Sequence, residues 1–148
     1  MLQETTNENV VRLAREWIGT PYLHQASAKG LGADCLGLVL GIFREVSADN
    51  LPSVPEYSSD WGEVSGREYL LQAASQYLLP VSQEQAPPGS VLIFRMKRGA
   101  VAKHLGVKSS IDTFIHAYEG IGVIESRLTE VWERKLAGVF QFPSNSKK

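Results

Sequence analysis

The sequence predicts an α+β domain, on three observations. Apolar residues recur at helical spacing through the first half of the chain, short β-type runs take over after Pro87-Pro88-Gly89, and 148 residues with 43% hydrophobic and 21% charged side chains suit one core. Helices followed by strands imply helices packed on a mainly antiparallel sheet. Residues 1–148 are read as a single domain, with no internal repeat and no low-complexity tract.

Each element has a local reason. Val10, Leu13, Ala14, Trp17 and Ile18 share one helical face, and Thr5-x-x-Glu8 upstream has the form of a capping box; the helix should end near Gly19. Thr20-Pro21-Tyr22 opens an irregular stretch punctuated by Gly30 and Gly32. Asp34 then suits an N-cap, and the apolar run from Leu36 to Val46 predicts a second helix buried on most sides. Pro52, Pro55, Asp60, Gly62 and several serines make residues 47–66 a long loop. Ser65-x-x-Glu68 repeats the capping pattern before Tyr69, Leu70, Ala73, Ala74 and Tyr77, a third helix stopped by Pro80. Strands are predicted over residues 91–94, 101–108, 113–118, 121–125 and 139–142.

Composition excludes several partners. Fifteen basic against sixteen acidic residues leave a net charge of -1, with no field favouring nucleic acid or an anionic membrane. Lys97, Arg98 and Lys103 form a short basic run without stacking aromatics, read as a solvated turn. Gly30-x-Gly32 lacks the third glycine and preceding strand of a dinucleotide site. One cysteine rules out an intramolecular disulfide. The N-terminus is polar and acidic and no segment approaches membrane-spanning length, so the expectation is a chain made in the cytoplasm without a signal peptide or membrane insertion.

Cys35 stands where the glycine-rich loop runs into the second helix. There the free backbone N–H groups and the helix dipole favour a thiolate and can bind an oxyanion, and a histidine-paired cysteine falls to about 3.5–7.5. His104 alternates with Leu105 on a predicted strand, beside a Gly106 expected to leave open space next to the imidazole. His116 falls on the next strand, so the two histidines can be cross-strand neighbours. Cys35 as nucleophile, His104 as acid and base, and His116 fixing the tautomer of His104 would make a triad. His24, on the loop, stays outside this set. Trp17 reads as core, whereas Trp61 and Trp132 suit either packing or partner contact.

Gly19-Thr20-Pro21-Tyr22, Asp34-Cys35-Leu36-Gly37-Leu38, Pro88-Gly89-Ser90-Val91-Leu92-Ile93-Phe94, Lys103-His104-Leu105-Gly106-Val107 and Ile115-His116-Ala117 follow the order of motifs in NlpC/P60 peptidases, which the chain resembles over nearly its whole length. Tyr57-Ser58-Ser59-Asp60-Trp61 and Leu136-Ala137-Gly138-Val139-Phe140-Gln141-Phe142-Pro143 look like the phage-associated branch. The resemblance implies a papain-like fold and a cysteine endopeptidase acting on peptidoglycan stem peptides next to D-glutamate. It assigns Cys35, His104 and His116 to the triad, Tyr22 to substrate or oxyanion binding, and Asp34 to the amino end of the stem peptide. It implies no cofactor and no metal, and phage tail-tip or hub proteins as partners, in a virion tail or related particle acting at the cell wall. Two departures bear on the bond preference and not on the nucleophile: Leu36 stands where many members have serine, and Leu23-His24-Gln25-Ala26-Ser27 where many have arginine or tryptophan and glycines.

Two other function classes are weighed against this one. A structural tail-assembly component would keep the fold without needing catalysis. Metal-dependent hydrolysis through His24, His104, His116 and Cys35 lacks a His-Glu-x-x-His spacing, and His116-x-x-Glu119 would point to opposite faces of a strand.

Overall fold

A computed structural model describes residues 2–47 and 68–144. It shows the expected α+β arrangement, with the three longer helices on one face of an antiparallel sheet. Helix α1 spans Leu2–Glu16, one turn longer than its capping signal predicts. Thr5 lies inside it because the first turn is held by tertiary contacts. The Gln3 side chain donates to Asn7 Oδ1 at 2.9 Å and to the Phe142 carbonyl at 2.8 Å, so the helix extends to meet the C-terminal segment. The helix ends before Gly19, whose φ of +95° suits glycine and whose N–H donates to Val123 O.

Strands β1 (Ser27–Ala28) and β2 (Gly32–Ala33) form a small hairpin that the sequence pattern did not reveal. Helix α2, Cys35–Val46, follows directly. It buries Leu38, Val39, Ile42, Phe43 and Val46 and keeps Arg44 exposed, close to the expectation of burial on most sides. It lies tight against α1: a Cβ at Gly41 would fall 2.2 Å from Cζ2 of Trp17, whose Nε1 donates to Glu45 at 3.3 Å. The predicted loop beyond Ser47, including Trp61 and the Tyr57 motif, lies outside the described residues.

Helix α3 covers Tyr69–Tyr77 and ends before Pro80, which instead sits in the two-residue strand β3 (Leu79–Pro80). That strand is at an edge of the sheet, where proline's missing N–H costs no ladder bond. Glu68, at the N-cap position of α3, makes no side-chain cap. Its carboxylate instead accepts from Arg95 at 2.8 Å and from the Ala102 N–H at 2.9 Å, tying α3 to the loop before His104.

The remaining strands are β4 (Val91–Phe94), β5 (His104–Ser110), β6 (Thr113–Tyr118), β7 (Gly122–Arg127) and β8 (Leu136–Gln141). The sheet order is β3-β8-β4-β5-β6-β7, with every pairing antiparallel. Strand β5 starts at His104 rather than residue 101, and β8 starts earlier than predicted. A short helix α4, Glu130–Arg134, was not expected; Thr129 caps it by accepting from the Trp132 N–H. Alternation gives the sheet two apolar faces. Val91, Ile93, Leu105, Val107 and Ile115 pack with α1 and α2, whereas Leu92, Phe94, Phe114 and Val139 form a smaller cluster with Trp132. Among the described residues no helix is long and apolar enough to cross a membrane.

Candidate active site

The site lies where the first turn of α2 meets the beginning of β5. Asp34 sets the position of that turn. Its Oδ1 accepts from the Gly37 N–H at 2.7 Å, the predicted N-cap, and its Oδ2 accepts from the Gln25 N–H at 2.7 Å. The carboxylate is 2% exposed and His24 Nδ1 is 3.8 Å from it. One buried side chain thus holds both the helix and the preceding loop, in which Gln25 takes a left-handed φ of +63°. Gly37 permits the close approach: a Cβ there would lie 1.8 Å from the Ala26 carbonyl oxygen.

Cys35 is the first residue of α2, as expected, and is a free, half-buried thiol. Its Sγ lies 3.5 Å from the Lys103 carbonyl, one residue before His104. Burial pushes the thiol up to about 12, with the Asp34 carboxylate acting in the same direction; the backbone groups of Leu105, Leu36 and Cys35 oppose both. In the free site desolvation thus acts against the expected low-pKa thiolate, while the backbone N–H groups of the helix terminus act for it.

His104 and His116 share the sheet face that carries Phe94 and Phe114. Val107 pairs with Ile115, so the histidines meet diagonally across β5 and β6, with Nε2 of His104 2.8 Å from Nδ1 of His116. Both are buried. Burial lowers His104 to about 3, with the neighbouring His116 adding to it, and lowers His116 to about 4. Gly106 does not leave open space, contrary to expectation. A Cβ there would be 2.9 Å from the Phe114 ring and 3.1 Å from the His116 Cβ, so the glycine lets the next strand's side chains lie against β5.

Tyr22 bridges Ala33 at the hairpin and is half-buried. Burial, then electrostatic interaction with Cys35 and with the Asp34 and Glu119 carboxylates, raises its hydroxyl to about 12, so it is a proton donor at neutral pH.

Two further residues border the site, Trp132, which the sequence left between packing and partner contact, and Ser126, which it did not signal. The half-buried Trp132 ring packs against the histidine pair, with centroids 5.7 Å from His104 and, edge-on, 5.4 Å from His116. Ser126 Oγ is 2.8 Å from Nε2 of His116. Strand alternation could have placed Ser126 beside His116 only with the β6–β7 register in hand, which pairs His116 with Ile124. His24 is exposed and sits with Asp34 rather than with the histidine pair. Among the described residues no three His, Cys, Asp or Glu side chains are grouped to hold a metal ion.

The model of the NlpC/P60 family matches residues 19–141, which include all of this site. The chain belongs to the NlpC/P60 family. Similar proteins include Gamma-DL-glutamyl hydrolase of Bacillus subtilis (strain 168), 28% identical over 139 residues, covering 93% of this chain and 30% of that protein. Another is Murein DD-endopeptidase MepS/Murein LD-carboxypeptidase of Escherichia coli (strain K12), 28% identical over 120 residues, covering 81% of this chain and 54% of that one. The chain thus spans between about a third and about half of these two relatives' lengths. An NlpC/P60 family protein from Bacillus cereus ATCC 10987 superposes with a TM-score of 0.65 at 17% identity, covering 92% of this chain and 40% of that one, a likeness of fold.

Proposed function

We propose that the chain is a cysteine peptidase that hydrolyses peptidoglycan stem peptides, with Cys35 as nucleophile, His104 as base and His116 as the residue that orients it. The observation that carries this reading is the placement of the Cys35 thiol, at a helix N-terminus, against the backbone leading into His104, whose ring is held at 2.8 Å by His116. The names of two relatives, a glutamyl hydrolase and a murein endopeptidase, support hydrolysis of a wall peptide, in this reading next to D-glutamate.

Chemistry then follows from the side chains. With Nε2 of His104 directed to His116, its Nδ1 is the nitrogen left for the thiol proton. The free pair holds a neutral thiol and a neutral imidazole, so the proton passes from Cys35 to His104 as sulfur attacks the peptide carbonyl. The oxyanion is met by N–H groups at the start of α2 and by the Tyr22 hydroxyl. His104 returns the proton to the departing amine, the C–N bond breaks, and a thioester remains. Water, deprotonated by His104, cleaves it to the free acid and restores the thiol. Asp34 acts on the stem peptide through its charge, since Gly37 and Gln25 each donate to one of its oxygens.

The finer assignment is a phage or prophage tail-associated cell wall hydrolase, supported by the Leu136 to Pro143 motif that resembles the phage-associated branch. The test is incubation of wild type and Cys35→Ala with defined peptidoglycan fragments, with products identified by mass spectrometry. Cleavage by wild type alone supports the peptidase and locates its bond. Cleavage by neither favours a structural tail component that retains the fold.

A further inference from the structure

Ser126 lies on β7 with its Oγ 2.8 Å from Nε2 of His116, whose Nδ1 is in turn 2.8 Å from Nε2 of His104. The register sets this line: β6 pairs Phe114 with Ser126 and His116 with Ile124, so Ser126 and His116 share a face on adjacent strands. Three strands thus contribute one side chain each to a continuous hydrogen-bonded row ending at a hydroxyl.

The direction of donation along the row matters. With both imidazoles neutral, two directions are self-consistent, because a hydroxyl either donates or accepts. In one, Ser126 donates to His116, His116 donates to His104, and the hydrogen of His104 sits on Nδ1, where it blocks acceptance from the thiol. In the other, each ring donates away from Cys35 and Nδ1 of His104 is open. Once His104 has taken a proton, both its nitrogens carry hydrogen and only the second direction survives. His116 must then accept at Nδ1 and donate at Nε2, and Ser126 Oγ is the acceptor at that point. Losing the acceptor leaves a partly buried N–H unmatched in the charged state.

We infer that Ser126 is a positioning residue, whose Oγ accepts from His116 Nε2 and so holds the tautomer of His116 that receives a hydrogen bond from protonated His104. The inference rests on the assignment of His104 as the base. It acts through His116 and does not require Ser126 to touch substrate.

The test uses the full chain, with Ser126→Ala and the hydroxyl-keeping Ser126→Thr beside wild type. Nitrogen-15 NMR of labelled histidines reads which ring nitrogen carries the proton, and steady-state kinetics on the fragments reads kcat and KM. Expected in wild type and Ser126→Thr is a hydrogen on Nε2 of both histidines. In Ser126→Ala a population with hydrogen on Nδ1 should emerge, with kcat down about tenfold and KM little changed, a modest share of what acid–base catalysis supplies. Unchanged tautomers in Ser126→Ala, or shifted tautomers with undiminished kcat, would overturn the inference. Because the NMR readout needs no substrate, a wild type that cleaves nothing counts against the proposed hydrolysis while the tautomers still decide the role of Ser126.

Discussion

Cys35 stands between two opposed influences, the N–H groups of its own helix and the cost of burying charge, and burial dominates in the free site. Iodoacetamide labelling of the free chain should therefore rise with pH well beyond the ordinary thiol value of about 8.5, with no plateau near neutrality. A plateau below pH ~7 would instead reveal a preformed thiolate. Cys35→Ala should lose hydrolysis and keep its circular dichroism spectrum, since the thiol's hydrogen bond to Lys103 is a single weak contact. Tyr22 is held protonated by burial and by negative neighbours. Removing its hydroxyl in Tyr22→Phe should lower kcat by about a hundredfold if it meets the oxyanion, the usual cost of one such donor; an unchanged kcat would assign it to packing. Cys35 was legible as a candidate because its chemistry depends on local context, a loop ahead and an apolar helix behind. The place of Trp132 beside the histidines was not, because its five ring neighbours lie on β4, β5 and β6, away from its own helix α4.

At the scale of elements, the start of α2 depends on Asp34 and Gly37. Asp34→Ala removes the acceptor for two backbone N–H groups, one at the helix and one at Gln25, and should cost about 1–2 kcal/mol, read from the denaturation midpoint in urea. Gly37→Ala is the harsher change. Its Cβ would meet the Ala26 carbonyl, which belongs to backbone and cannot rotate away, so the first turn must shift. The expected loss is about 1–3 kcal/mol of stability together with most of the activity, because Cys35 moves with that turn. The cap at Asp34 was readable from residue type and position. The Glu68 contact was not: its spacing matched a capping box, but its carboxylate goes to Arg95 and Ala102, and only the folded chain brings those groups near.

For the whole molecule, the buried histidine pair makes stability depend on pH. Both groups fall from 6.5, to about 3 for His104 and about 4 for His116, through desolvation. Between those values and 6.5 the unfolded chain binds more protons than the native one, so stability rises with pH across that window. It is complete above about pH 6.5 and is lost as pH falls through the folded values. Melting temperature should drop between neutral pH and pH ~4, and the drop should be shallower in His116→Gln, which removes one of the two groups. An equally steep profile in that variant would place the acid sensitivity elsewhere.

Hydrophobic period, turn residues and motif order are properties of neighbouring positions, so the fold class, the strands at 91–94 and 113–118, the cap of the second helix and the family could all be read from the chain unfolded on the page. Tertiary structure decided the first turn of α1, the hairpin before Cys35, the close packing around Gly106 and the row from His104 to Ser126. Each of these depends on register or on contact between segments distant in the chain. A shift of one residue in pairing would turn His116 or Ser126 to the opposite face, and no local pattern within either strand carries that information.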